Sequence, residues 1–308
     1  MELSIITAKQ VFILFILIFT GFGCVKAGVI KTESKKVFSD LLIYLIVPAM
    51  IINSYTTGYN PEIFSNLLQA FALSTLFLLT GLVITFALGF KLKSENAPIA
   101  KFACIFSNAA YMGFPLIEAL FGSEGLIYAS AYVTVFNILI WTIGYGMVSK
   151  KSDLKEIISS ICTTPAVISV ILGLIIFLCQ IPVPEVIVKP LSYIGSMNTP
   201  LSMIIIDIII ANCTPSALVK NKLIVFVIAL RMAVIPVVCF AIFYFLNIRG
   251  TVPNIVLLLE ACPSAAMTSV FAVQYGYDEN LAAGAVVITT FLSIITLPLF
   301  AYLLTAVV

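Results

Sequence analysis

Ten runs of about 20 predominantly apolar residues follow one another along this chain, and nothing else in it limits the possible folds so strongly. They lie near 8–28, 36–54, 65–90, 97–121, 126–148, 164–180, 190–212, 222–246, 254–274 and 281–305. A helix of that length crosses the roughly 30 Å hydrocarbon layer of a bilayer. LIVFVIAL (223–230) and VFILFILIF (11–19) lack the period-2 alternation of a membrane β-barrel. The expected fold is therefore an all-α polytopic membrane protein with ten transmembrane helices. Of the 308 residues 62% are apolar and only 10% charged, too little charge to cover a soluble globule of this size. A net charge of +2 with no dominant basic cluster excludes a nucleic-acid binder and a disordered chain. The first residues, MELSIITAKQ, have no basic n-region and no A-x-A site follows, so the first apolar run reads as a true span.

The chemistry open to such a chain is narrow. Cysteines 24, 104, 162, 179, 213, 239 and 262 fall within or at the ends of spans without CxxC spacing, so neither a zinc site nor a disulfide framework is expected. Histidine is absent, which removes histidine proton relays, histidine-ligated metals and a Ser-His-Asp triad. The chain has no G-x-x-x-x-G-K-[ST] loop, so an ATP-driven pump is not supported, and no facing aspartates or activated serine suggest an enzyme.

Lysines set the expected orientation. Alternate loops carry Lys31, Lys35, Lys36, Lys91, Lys93, Lys150, Lys151, Lys155, Lys220 and Lys222, while the other side carries only Lys9, Lys189 and Arg249. Lysine-rich short loops stay cytoplasmic. Both termini are thus expected outside the cytoplasm of a cell (plasma or inner) membrane, with the 149–163 linker inside.

The two halves resemble each other at a shift of about 152–155 residues. LIVPAMII (45–52) meets MNTPLSMII (197–205), EALFGSEG (118–125) meets VQYGYDEN (273–280), and VTVFNILI (133–140) meets ITTFLSII (288–295). Ten spans halve into five, an odd number, so the second copy enters from the opposite face. Inverted repeats of this kind mark secondary transporters. The expected division is 1–148 and 164–308, two inverted five-helix repeats joined by the 149–163 linker.

Spans four and nine look broken. KFACIFSNAAYMGFPLIEALFG (101–122) holds Ser107, Asn108, Gly113 and Pro115, and the Pro115 ring should crowd the Tyr111 carbonyl. VLLLEACPSAAMTSVFAVQYG (256–276) holds Pro263, expected to free the Leu259 carbonyl, then Ser264, Thr268 and Ser269. Pro48, Pro236 and Pro298 read as plain kinks. Unpaired backbone survives at membrane depth only where protein or a water-filled cavity satisfies it. Two helices broken opposite each other present two half-helix N-termini, each worth about half a positive charge, to a mid-membrane anion. A carboxylate-bearing substrate is expected there, with Asn108, Ser107, Ser264 and Thr268 as donors and Pro115 and Pro263 shaping the breaks.

Four ionisable residues lie inside apolar runs: Glu118, Asp207, Arg231 and Glu260. Each costs roughly 2.5–3.5 kcal/mol at a helix centre, so a role is the default reading. Glu260, beside the second break, is the candidate for ion coupling, by protonation or as a ligand of sodium with the freed carbonyls. Arg231 is expected to pair with Asp207 or to draw the anion from the cytoplasm. Glu118 is expected to face an outer vestibule.

The run from Asn108 through Ala-Ala-Tyr-Met-Gly-Phe to Pro115-Leu116, then Ala119-Leu-Phe-Gly122, resembles the fourth-helix pattern of the auxin efflux carrier family. Ala261 through Pro263 to Val270-Phe-Ala272 and Tyr275 resembles its ninth helix, and Thr199-Pro200-Leu201-Ser202 and Ile288-Thr-Thr also fit. The resemblance implies helices 4 and 9 crossing at their breaks. It also implies a scaffold and homodimer interface from helices 1, 2, 6 and 7, and a mobile transport domain from helices 3–5 and 8–10 that works as an elevator. The family's crossover asparagine and prolines fall on Asn108, Pro115 and Pro263. The long cytoplasmic loop of the plant members is absent, and Glu260 and Asp207 depart from them, which leaves auxin itself in doubt. The expected function is secondary active transport of a small organic acid anion, without a cofactor and with H+ or Na+ as candidate coupling ions. A sodium-coupled bile-acid-type symporter and a non-transporting ligand sensor are the alternatives.

Overall fold

A computed structural model describes residues 2–31, 33–58, 60–149, 159, 161–211 and 221–305. Most of the 149–163 linker, with Lys150, Lys151 and Lys155, lies outside the described residues, as do Lys220 and Cys213. The described chain is helical: α1 (Glu2–Lys26), α2 (Ser34–Ser54), α3 (Pro61–Leu88), α4 (Ala97–Ile105), α5 (Ala109–Ser149), α6 (Pro165–Leu178), α7 (Glu185–Ala211), α8 (Lys222–Phe245), α9 (Thr251–Glu260), α10 (Met267–Tyr275) and α11 (Glu279–Thr305). No strand forms among the described residues, and the only β pairing there is an isolated antiparallel bridge between Ser107 and Ser264. The protein is therefore a multi-pass membrane protein of helices. Its outward surface carries Phe12, Ile16, Val83 and Ile295 exposed, which only lipid tolerates over so wide an area.

Seven of these helices, α1, α2, α3, α5, α7, α8 and α11, are long and apolar enough to cross a bilayer. The difference from the ten runs of the sequence has local causes. The 254–274 run is divided into α9, of 10 residues, and α10, of 9. The 164–180 run, opened by Pro165 and closed by a turn at 179–180, gives the 14-residue α6. The 97–121 run gives α4, and its remainder continues without a gap into the fifth run as the 41-residue α5.

Gly122 folds α5 into two arms. Its φ of 64° and ψ of −156° are a backbone that residues with a Cβ avoid. A Cβ added at Gly125 would stand 2.5 Å from the Phe121 Cβ and 3.0 Å from the Ile117 Cγ2. Eight residues of straight helix would separate Gly125 from Ile117 by about 12 Å. The 123–149 arm thus doubles back on the 109–121 arm.

Prolines leave a second signature. Of the four π-helical turns among the described residues, Leu42–Ile46, Ala109–Gly113 and Leu230–Val234 are each followed, two residues on, by Pro48, Pro115 or Pro236; the fourth, Ile140–Gly144, has no proline after it. A proline has no N–H to offer and crowds the carbonyl four residues back; widening the preceding turn relieves that clash without ending the helix. Pro298, by contrast, sits inside α11 with no such turn.

The helices pack around three apolar clusters, and the two larger ones meet at the breaks. α1 lies along both the 198–211 half of α7 and α11, while the end of α2 packs on α6 and the start of α7. Glycines permit this: a Cβ on Gly173 of α6 would lie 2.5 Å from the Tyr55 Cδ2, and one on Gly195 of α7 3.1 Å from the Met50 Cα. The largest cluster takes in Ile105, Phe106, Ala109 and Leu259, and the second takes in Met112, Leu116, Ala261 and Cys262.

Candidate functional site

The chain leaves helical geometry after Ile105 and after Glu260, and the two gaps lie side by side. The Asn108 N–H donates to the Pro263 carbonyl at 2.7 Å, and the Ala265 N–H donates to the Phe106 carbonyl at 2.8 Å. These reciprocal bonds, around the Ser107–Ser264 bridge, pair backbone groups that hydrocarbon would leave stranded. Two side chains extend the stitching. The Ser264 hydroxyl donates to the Ala103 carbonyl at 2.9 Å, and the Ser264 N–H donates to the Thr289 hydroxyl at 3.1 Å.

The first interruption falls at 106–108, well before Pro115. Pro115 is buried in the first turn of the helix that follows, behind the π turn that relieves its clash with Tyr111. Pro263 lies within the second gap itself and contributes its carbonyl. The Leu259 carbonyl, expected to be free, accepts the Cys262 N–H at 3.3 Å, because the chain tightens by one turn before leaving the helix.

A buried polar chain runs through the crossing. Tyr132, from the 123–149 arm of α5, donates its hydroxyl to the Glu260 Oε2 at 2.6 Å. With that proton committed, the Ser107 hydroxyl donates to the Tyr132 oxygen, 2.9 Å away. The other Glu260 oxygen pairs with the Arg231 Nη1 at 3.1 Å, both side chains being fully buried. Arg231 also donates from Nε to the Cys262 carbonyl at 3.1 Å and from Nη1 to the Cys104 and Ile105 carbonyls at 3.2 and 3.0 Å. One guanidinium therefore holds the C-terminal carbonyls beside both breaks.

Arg231 does not pair with Asp207, as the sequence suggests. Asp207 is buried at the α1–α7 contact, where a Cβ on Gly21 would overlap its carboxylate, and neither carboxylate oxygen has a hydrogen-bond partner. Both acids lie deep in apolar runs, and the sequence does not reveal which one the long arginine side chain reaches. Glu118 is half-buried, near the end of the 109–121 arm.

The remaining donors fall into two groups. The hydroxyls of Ser107 and Ser264 are engaged by protein. The Asn108 Nδ2 and the Thr268 Oγ1 are buried with no partner, at the starts of the two half-helices that follow the breaks. The Ser269 Oγ is in the same condition. Tyr132 escapes sequence reasoning altogether, since nothing in AYVTVFN separates it from an apolar filler. Thr289 carried two faint signals, its alignment with Thr134 between the halves and its place in the Ile288-Thr-Thr run.

A family model described as membrane transport protein matches residues 6–160 and 153–301. The chain is 28% identical over 307 residues to an uncharacterised transporter of Methanocaldococcus jannaschii, covering 96% of this chain and 97% of that one. It is 23% identical over 305 residues to an uncharacterised transporter of Methanothermobacter thermautotrophicus, covering 97% and 98%.

Proposed function

The chain belongs to the membrane transport protein family, the auxin efflux carriers, and on that premise we propose that it is a secondary carrier of a small organic acid anion. The anion is held where helices 4 and 9 cross. The observation that carries this reading is the pair of buried donors without acceptors, the Asn108 Nδ2 and the Thr268 Oγ1, each at the start of a half-helix. An orphaned buried donor costs about 1–3 kcal/mol, a cost that an incoming carboxylate removes. The half-helix N-termini add about half a positive charge each. The site attracts an anion without placing an unpaired lysine in lipid.

The architecture we propose around it has ten crossings in two inverted five-helix repeats, 1–148 and 164–308, with 149–163 as a cytoplasmic linker. The antiparallel sense of the Ser107–Ser264 bridge supports an in-plane two-fold relation between the breaks. Helices 1, 2, 6 and 7 would form the scaffold and homodimer contact, and the packing of α2 on α6 and α7 supports that grouping, while α1 lies between α7 and α11. Ser107, Asn108, Ser264 and Thr268 are all at least nine-tenths buried, so a guest enters only when the remaining helices shift against the scaffold. That shift is the elevator step of alternating access.

The test is flux of labelled mono- and dicarboxylates into proteoliposomes holding the purified protein, with a thermal-shift panel of organic acids choosing the probes. Saturable flux that Asn108→Ala abolishes is the expected result. Binding without flux would make the protein a sensor, and wild-type flux in Asn108→Ala would remove the site.

A further inference from the structure

We propose that the Arg231 guanidinium is a built-in cation for the crossing: it fills the position where two helix ends and Glu260 would otherwise collect a small inorganic cation. The charge balance supports this. α4 ends at Ile105 and α9 at Glu260, and each helix C-terminus carries about half a negative charge on its free carbonyls. The Glu260 carboxylate adds a full one, and all of it is buried. Such a cage of carbonyls and one carboxylate is the oxygen environment a hard cation takes. Here the cation is covalently attached. Nε reaches the Cys262 carbonyl at 3.1 Å, Nη1 reaches the Cys104 and Ile105 carbonyls at 3.2 and 3.0 Å, and Nη1 stands 3.1 Å from Glu260. The planar fork spans oxygens from both broken helices at once, which a lysine ammonium, a compact point charge, does not do.

The consequence concerns ion dependence. Glu260 is the residue the sequence offered as a sodium ligand; its Oε2 accepts the Tyr132 hydroxyl, and its Oε1, without a hydrogen bond, is neutralised by the Arg231 guanidinium 3.1 Å away. The native crossing therefore takes no sodium, and a sodium-coupled cycle through Glu260 is disfavoured. The inference goes beyond the carrier reading and does not rest on it. Its readout is cation binding, so a failure to find a transported acid leaves it untouched.

The experiment compares the thermal unfolding midpoint of the purified full chain in choline, sodium, lithium and millimolar guanidinium chlorides at matched ionic strength. The wild type should show one midpoint in all four. Arg231→Ala exposes the cage: its midpoint should fall by several degrees in choline and recover, saturably, in guanidinium or sodium. Adding Glu260→Gln to Arg231→Ala should abolish the recovery. Arg231→Gln is the milder companion. It keeps N–H donors for the carbonyls but no charge, and it should likewise gain from small cations over choline. Recovery of Arg231→Ala only from membranes extracted in guanidinium or sodium would also support the proposal. A wild type that gains as much from sodium as Arg231→Ala does would overturn it. So would Arg231→Ala and Arg231→Gln variants indifferent to every small cation.

Discussion

Removing one oxygen atom tests the polar chain at the crossing. Tyr132→Phe keeps the ring in its fully buried place and deletes a hydroxyl that donates to the Glu260 Oε2 at 2.6 Å and accepts from Ser107 at 2.9 Å. The first bond is to an ionised partner and contributes about 1.5–3 kcal/mol; the second, between neutral groups, contributes about 1 kcal/mol. No solvent reaches Glu260 to compensate, and the expected destabilisation is about 2–4 kcal/mol. Tyr55→Phe is the matched control, because that buried hydroxyl meets only the neutral Ser130, at 2.8 Å. Its loss should cost about 1 kcal/mol. The assay is equilibrium unfolding in mixed micelles, run as double-mutant cycles of Tyr132→Phe with Ser107→Ala and with Glu260→Gln. Coupling of about 1 kcal/mol is expected in the first cycle and about 2 kcal/mol in the second. If Tyr132→Phe costs no more than Tyr55→Phe, or both cycles are additive within about 0.5 kcal/mol, the chain from Ser107 to Arg231 is not an energetic unit.

Three further outcomes are expected. Asn108→Ala should leave stability unchanged or raise it, by up to about 1–3 kcal/mol, while flux disappears, because its Nδ2 is an orphaned buried donor with no protein acceptor to lose; a large fall in unfolding midpoint would show that it is structural. Gly173→Val should destabilise by about 1–3 kcal/mol or more, measured by the same unfolding assay, since a Cβ there would stand 2.5 Å from the Tyr55 ring; unchanged stability would mean that α6 does not seat on α2 as described. A cysteine replacing the exposed Lys93 should react with an impermeant thiol reagent only from the cytoplasmic side, and labelling of intact cells at that position would invert the proposed orientation.

Helices, membrane and family were legible in the sequence because they depend on long apolar runs and on one motif. The crossing was legible in part. Proline is a conspicuous sign of disturbed helix and marks Pro115, while the repeat and the motif mark Asn108; the interruption lies at Phe106–Asn108, on the side of the asparagine and not of the proline. The π turn explains the displacement, since widening absorbs the proline and leaves the helix intact. Side-chain partners were less legible still. Arg231 sits among apolar residues with acids at 207 and 260 to choose from, and the choice depends on how three separate helices pack. Tyr132 bears on the site from a distant element, and only the assembled fold shows its hydroxyl turned to Glu260.

The widened turns ahead of Pro48, Pro115 and Pro236 each hold a residue beyond ordinary α count. Downstream of each, the lipid-facing stripe is rotated by about 100° relative to its upstream course. Deleting a single residue within 232–234 would therefore swing the 235–245 part of α8 around its axis relative to the part that carries Arg231 and disturb the seat of Arg231 on its carbonyls, whereas the same deletion in an exposed loop would pass almost unnoticed.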